Sequence, residues 1–568
     1  MAPSLRKYAR RGALLAAAAT WIACDGGESG ADADGGDTTV QEPSTDVDLE
    51  HDPPLDPGDG WTPSGKWGAD GDMGGGGYKA MGWDCMICDG SESAPPPVQE
   101  AVAVALLAER LAMEDQGRQD PVPLTDPAPE VLYVSADDSN SQSSPVIARQ
   151  RILNDEIVTS DLLRVWEFLN YYEFGYEEPL WGQAIRIEPQ LRPYDAEEGI
   201  FALQLGIQGK HVDAVRRALN VTFCVDTSGS MTGQSLGLAQ EAMRAMSAHF
   251  RSGDRVSMVS WSTVQDVSLE GVVVSGPDDP VVLAAIDALT ANGSTDLHSG
   301  LVAAYDLANA SFMENAMNRV VLLSDGGANV GVTDADLIAE AAAGGEDEAI
   351  YIVGVGVGSS DTYNDVLMDT VTDLGKGASV FVDSVAEAHR AFEEHFLANM
   401  EMVAHDVQIR LTLPPGFEMY EFLGEEYSDD PDEVEPQNLG PNDAMVVQQL
   451  IRAEEPDEVG ALDEIGVRVT WTDAFTGLDG ETEGVWTLQE LVDAGADELR
   501  KGDAIVVFVQ ALGRIAEALS GSPDLDAVAV ECAWGAQVLE DAYDALGDPE
   551  LADLQMLLDY YCAGLVDA

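Results

Sequence analysis

Positive charge is what this 568-residue chain has least of. It carries 28 Lys+Arg against 103 Asp+Glu, a formal net charge of -75. A nucleic-acid binder needs a basic face to meet phosphates, so that class is excluded. A polybasic patch for docking on anionic lipid is missing as well. Long apolar runs are also scarce. No segment approaches the ~18 consecutive apolar residues of a bilayer-spanning helix. Common catalytic signatures are absent: there is no phosphate-binding G-x-x-x-x-G-K-[ST] and no H-E-x-x-H. What is present is ordinary core material. Hydrophobic residues make up 45% of the chain, enough to bury cores, and the length suggests three or four domains. The acidity describes a solvated surface, and capturing a divalent cation takes a specific site rather than a net charge.

The first residues read as an export signal. Arg6, Lys7, Arg10 and Arg11 precede an apolar run from Gly12 to Ala23. That run is too short to span a bilayer and suits a signal h-region. It ends at Ile22-Ala23-Cys24, which resembles the bacterial lipoprotein lipobox, with Trp21 standing where that pattern prefers Leu. The resemblance implies lipidation at Cys24. An ordinary cleaved signal with a chance Cys is the alternative. The protein is thus expected to be exported and held to a bacterial membrane, periplasmic or at the cell surface, by that anchor only.

Five cysteines remain. Cys85-Met-Ile-Cys88 has zinc-like spacing but no second Cys/His pair nearby, so a small local disulfide or no role is expected. Cys224 lies in an apolar strand pattern and reads as a buried thiol. Cys532 and Cys562 fall in predicted helices and are placed to staple them in an oxidising compartment.

Composition and period divide the chain. Residues 1–24 are the signal segment, and 25–95 form a Gly/Pro-rich acidic tether that buries too little to offset chain entropy. Residues 96–218 read as a small α+β module, with helices at Ala101–Leu111 and Ser160–Tyr172 and strands at Ala184–Ile187 and Phe201–Gln208. The last alternates Phe201, Leu203, Leu205 and Ile207, as a half-buried antiparallel strand does. Residues 219–400 change character. Apolar strands (Val221–Val225, Val256–Trp261, Val320–Leu323, Ile350–Val355, Val380–Val382) alternate with helices (Leu236–Phe250, Val281–Leu289, Leu301–Phe312, Ala335–Ala343, Tyr363–Leu374, Ala386–Phe396). Strands apolar on both faces, separated by helices, predict an α/β, doubly wound, mostly parallel sheet. Its ligand sites belong at the carboxyl ends of the strands. Residues 401–486 read as β-rich, with strands at Val407–Leu413, Ala444–Ile451 and Ile465–Thr472 and an acidic loop at Glu425–Glu435. Residues 487–568 read as helical.

The strand Val221–Val225 runs into Asp226-Thr227-Ser228-Gly229-Ser230. One carboxylate and two hydroxyls at alternate positions are hard oxygen ligands, suited to Mg²⁺ or Mn²⁺. Gly293-Ser294-Thr295 precedes a helix, and Leu323-Ser324-Asp325-Gly326 closes a later strand. In a doubly wound sheet these loops converge. Ser228 does not lie in a G-x-S-x-G elbow. Gly354-Val355-Gly356-Val357-Gly358 closes a late strand, which marks close backbone approach rather than a dinucleotide site. His298 reads as structural, and Met231, Met243 and Met246 as core.

D-x-S-x-S, then a Thr after a Gly-rich turn, then Asp-Gly at a later strand end, resembles the von Willebrand factor type A domain. Gly206–Lys210, Asn318–Asp325, Asn329–Val332, Tyr363–Asp365 and His405–Val407 further resemble a bacterial family of exported proteins that carry this domain between modules of their own. The resemblance implies a metal-ion-dependent adhesion site on Asp226, Ser228, Ser230, Thr295 and Asp325. It implies that Mg²⁺ or Mn²⁺ is held there and that a carboxylate of a protein partner fills the vacant position. The expected function is therefore a non-enzymatic, divalent-dependent adhesion or assembly module. A metal-dependent hydrolase, or a structural envelope protein with a vestigial site, are the alternatives.

Overall fold

The computed structural model describes residues 128–136, 141–212, 216–326 and 350–567. The signal segment with Cys24, the tether, Cys85 and Cys88, the expected helix Ala101–Leu111, Asn329–Val332 and the expected helix Ala335–Ala343 lie outside the described residues.

Strand β1 (Val131–Val134) is followed by the helix Ser143–Leu153, a 3-10 turn Ser160–Leu162 and a short helix Val165–Leu169. The single helix expected over 160–172 is therefore two shorter pieces. Strands β2 (Ile185–Asp195) and β3 (Ile200–Gly209) then form an antiparallel pair.

The central domain supplies β4 (Leu219–Asp226), β5 (Arg255–Trp261), β6 (Gln265–Val273), β7 (Met317–Ser324), β8 (Tyr351–Val357) and β9 (Ser379–Val382). They form one sheet in the order β6-β5-β4-β7-β8-β9. All neighbours are parallel except the β5–β6 pair. The mostly parallel sheet is thus as expected, with an antiparallel edge strand, β6, that sequence reading did not anticipate. β4 and β7 are buried along their whole length. Apolar clusters cover both faces of the sheet. One joins Phe223, Val225, Met243 and Met246 to Phe392 and Phe396; the other joins Cys224, Trp261, Leu301 and Tyr305 to Val371. Cys224 is a buried free thiol. The helix expected at Ala386–Phe396 is broken into Val385–His389, a π turn Arg390–Glu394 and Phe396–Met400.

After the domain come β10 (Ala404–Thr412), β11 (Phe417–Phe422), β12 (Tyr427–Ser428), β13 (Gln437–Leu439), β14 (Ala444–Ala453), β15 (Glu464–Asp473) and β16 (Asp479–Thr487). These do not stand apart from the strands before the domain. β1 pairs with β10, and β3 pairs with β14 over nine residues. One sheet runs β12-β1-β10-β15-β16, and the other runs β11-β14-β3-β2. Their inner faces meet through Leu203, Leu205 and Ile207 on one side and Ile409, Leu411 and Val467 on the other. The segments read as separate modules before and after the α/β domain therefore share one sandwich, and the domain is inserted between them.

Helices Asp497–Leu519, Leu525–Leu546 and Pro549–Asp567 close the chain. Cys532 and Cys562 are disulfide-bonded between the last two. This layer explains why β3 is buried on both faces rather than half-buried. Its outer face carries Gln204 and Gly206. Gln204 Nε2 donates to the Tyr176 hydroxyl (2.7 Å), and Gly206 lies under the Tyr176 ring, where a Cβ would come within 2.3 Å. Gly502 of the long helix fits against Gln204 in the same way. No helix among the described residues is long and apolar enough to cross a membrane.

Candidate metal centre

β4 is the central strand of a buried parallel sheet, and its last residue is Asp226. The position places a carboxylate at the carboxyl edge of the sheet, where chain crossing leaves a crevice. Asp226 is wholly buried. The Ser228 N–H donates to its Oδ1 (2.8 Å), and the Ser324 hydroxyl donates to its Oδ2 (2.8 Å). Both carboxylate oxygens are therefore oriented by neighbours. Burial pushes the Asp226 carboxyl up from its ordinary pKa; the hydrogen bonds from Ser228 and Ser324 pull it back, and the Asp325 charge adds to the rise.

The chain leaves β4 through a 3-10 turn, Gly229–Met231, before the helix Gln234–Ser247 begins. That turn brings the two serines together: Ser228 Oγ and Ser230 Oγ share a hydrogen bond at 3.0 Å. Ser230 Oγ then donates to Asp325 Oδ1 (3.2 Å). Asp325 follows the end of β7, the parallel neighbour of β4. Four of the five candidate ligands, Asp226, Ser228, Ser230 and Asp325, are thus joined by hydrogen bonds across two strand ends, the first through the Ser228 N–H and the others through the two serine hydroxyls.

The fifth, Thr295, is exposed on the loop before the helix Leu297–Ala310. Backbone bonds tie this loop to the first. The Gly229 N–H donates to the Gly293 carbonyl (3.1 Å), and the Asn292 N–H donates to the Thr227 carbonyl (2.7 Å). Its other side is stitched to the end of β5, where the Ser294 N–H donates to Thr263 Oγ1 (3.0 Å). Gly293 adopts φ +92°, and a Cβ there would come within 2.7 Å of Thr263 Oγ1, so the close approach requires glycine.

Ser324 was not singled out by sequence reading. It orients Asp226 and accepts from the Gly326 N–H (3.1 Å), joining the first loop to the third. The available signal was a hydroxyl residue closing a buried strand directly before Asp-Gly.

The donor set fits a hard divalent cation. It offers carboxylate and hydroxyl oxygens only, and the Asp325 charge adds to the cost of ionising Asp226, which a bound cation would relieve. Among the described residues no three His, Cys, Asp or Glu side chains come together as a metal-holding group. A site here depends on hydroxyls as much as on acids.

Residues 221–328 match the von Willebrand factor type A domain. The chain is 27% identical over 280 residues to Uncharacterized protein YfbK of Escherichia coli (strain K12), a stretch covering 47% of this chain and 48% of that protein. It is 24% identical over 214 residues to Uncharacterized protein sll0103 of Synechocystis, covering 38% and 49% respectively. The chain spans about half the length of these curated relatives. Among solved structures, von Willebrand factor type A from Catenulispora acidiphila aligns over 68% of this chain and 91% of that one, with a TM-score of 0.42 and 16% identity.

Proposed function

We propose, from the premise that the central domain is a von Willebrand factor type A domain, that this protein is an envelope-anchored binding module dependent on a divalent metal. Mg²⁺ or Mn²⁺ would be held by Ser228, Ser230 and Thr295, with Asp226 and Asp325 close by, and the ligand captured would be a carboxylate of a protein partner. The observation that carries this reading is the hydrogen-bonded cluster Asp226–Ser228–Ser230–Asp325 at the carboxyl edge of the sheet. When bound, a cation coordinated largely by neutral hydroxyls supplies unneutralised positive charge for an incoming anion. The protein's own residues do the rest. Ser324 and the Ser228 N–H fix the Asp226 carboxylate, and the loop that carries Thr295 is tied by backbone bonds at Asn292 and Gly293 to the first loop. This chemistry suits capture, and the reading is non-enzymatic.

Export and anchoring at Cys24 are part of the same proposal. The Cys532–Cys562 disulfide supports export, because such bonds persist in oxidising compartments. Loss of labelled-lipid incorporation in Cys24→Ser, with release of the protein from membranes, is the expected result.

Capture from envelope extract tests the binding. The partner should be retained by wild type in Mg²⁺, and lost in EDTA and with Asp226→Ala or Thr295→Ala. At a net charge of -75, retention of an acidic partner should improve as monovalent salt rises from very low values, because the Debye length shrinks to about 8–10 Å. A partner held equally in EDTA and Mg²⁺, and unaffected by Thr295→Ala, would place the contacts on the sandwich instead.

A further inference from the structure

The segment that precedes the α/β domain reaches around to the domain's carboxyl edge, where the candidate metal centre lies. Ser141 forms a parallel bridge with Ser379, and the Gln142 N–H donates to the Ser379 carbonyl (3.0 Å), so this arm extends the sheet beyond β9. The helix Ser143–Leu153 then lies over the carboxyl ends of β8 and β9. Gln150 donates to the Gly358 carbonyl (3.0 Å) and accepts from the Ser360 N–H (2.6 Å). Arg149 pairs with Asp383 (3.0 Å) and Glu387 (2.8 Å).

The arm also grips the turn beside the third loop of the site, through Tyr363 and Asp365. The Tyr363 hydroxyl bonds Ser143 Oγ (3.1 Å), and its ring stacks on Phe381 at 4.4 Å. Asn364 caps the helix Asp365–Gly375 by accepting from the Leu367 N–H (3.2 Å). Asp365 pairs with Arg164, whose guanidinium also holds the buried Glu167. Glu167 in turn accepts from the Ser144 N–H (2.6 Å). Gly326, directly after Asp325, packs its backbone against this turn. It sits at φ +84°, and a Cβ there would lie 2.3 Å from the Asn364 nitrogen.

We infer that Tyr363, Asn364 and Asp365 are positioning residues for the metal centre, and that the arm sets the metal affinity through them. The inference rests on the metal-binding reading above. Asp325 meets Ser230 from a loop whose next residue leans on the 363–365 turn, and the arm holds that turn by a hydroxyl contact and by the ion pairs Asp365–Arg164–Glu167, of which Glu167 is buried. The coupling is reciprocal: a cation that fixes Asp325 also tightens the turn and the arm upon it. Partners of this kind, one step behind the ligands, commonly change metal affinity 10–100-fold.

The test is Mg²⁺ titration calorimetry on the full chain, with limited proteolysis of the arm in Mg²⁺ and in EDTA. The variant is Arg164→Met with Glu167→Gln, which removes both charges so that neither is left buried alone. Ser143→Ala, which deletes only the hydroxyl contact to Tyr363, carries the same test if the double variant does not fold. Mg²⁺ should bind about tenfold more weakly to the variant at unchanged circular dichroism. In wild type, Mg²⁺ should slow cleavage of the arm without changing cleavage of the C-terminal helices, and in the variant that protection should vanish. A purely structural role for the arm produces no metal-dependent protection. Equal Mg²⁺ affinity in wild type and variant, or arm cleavage indifferent to Mg²⁺, overturns the inference while the metal reading stands. Failure of wild type to bind Mg²⁺ overturns both.

Discussion

The carboxyl edge of the central sheet and the seam beneath the arm are built from opposite materials. At the edge, Asp226, Ser228, Ser230 and Asp325 hold one another through hydrogen bonds of a backbone N–H and two hydroxyls, with no cationic side chain among them. At the seam, scarce cations bind segments far apart in sequence: Arg149 to Asp383 and Glu387, and Arg164 to Asp365. The edge gathers like charge and suits an incoming cation. The seam neutralises charge internally and suits holding parts together. In a chain with 28 Lys+Arg and 103 Asp+Glu, where a cationic side chain is placed separates structural junctions from the candidate metal centre.

The contrast breaks most visibly if a seam cation is removed. Arg164→Ala leaves Glu167, which is only 1% exposed, buried without its partner. A loss of about 3–5 kcal/mol is expected, read from the denaturant midpoint. The pair Arg164→Met, Glu167→Gln should recover most of it. A single variant as stable as wild type would erase the distinction between seam and edge.

A covalent clamp should matter slightly less. Cys532 and Cys562 are 30 residues apart in sequence, and Cys562→Ser should cost about 2–4 kcal/mol. The check is a lower thermal midpoint for the variant in oxidising buffer and a difference that disappears when both proteins are reduced.

The junction between domain and sandwich should show itself through pH. His405 is buried and its Nδ1 lies 3.2 Å from Asn438 Oδ1. Burial holds its pKa down to about 4, with Arg319 and Lys376 adding to the fall and Asn438 and Asp406 opposing it. The folded value lies below the unfolded one, so the contribution of neutral His405 is complete above about pH 6.5 and is lost as pH falls toward 4. Asp443 and Asp373 work the other way: burial raises each to about 6, and protonating them relieves the folded state as pH falls through that value. Comparing wild type with His405→Gln separates the two. Wild type should lose stability relative to the variant between about pH 6.5 and 4, and parallel curves would show that His405 is not held neutral.

The smallest effect on stability belongs to the edge. Asp226→Ala should shift stability by only about 1 kcal/mol, because burial and the Asp325 charge already disfavour its ionised form. A loss comparable to that of Arg164→Ala would make Asp226 a structural residue.

How much of this was legible in the sequence follows from the same contrast. The edge is made of short stretches at strand ends. Asp226 to Ser230 is contiguous, and Asp325-Gly326 closes an apolar strand, so residue type and order sufficed to place them. Strands β4, β7 and β8 were likewise legible, because burial on both faces leaves an unbroken apolar run. β6 was not: at the sheet edge it is exposed over the successive residues Gln265, Asp266, Val267 and Ser268, so it carries no unbroken apolar run. The seam was illegible for another reason. Arg149 meets Asp383 across 234 residues, and β3 pairs with β14 around a whole inserted domain. No local pattern encodes such a partner. The half-buried reading of Phe201–Gln208 failed on the same point, since the helix carrying Gly502 that covers Gln204 lies almost 300 residues later.

We propose that the carboxyl edge of the sheet is a divalent-metal centre whose ligands are set at Asp226. Calorimetric titration of Mg²⁺ into the intact protein and into Asp226→Ala, with circular dichroism confirming the same fold, tests it most directly. One saturable Mg²⁺ site in wild type and none in the variant is the predicted result. Equal Mg²⁺ affinity in the two proteins would contradict it.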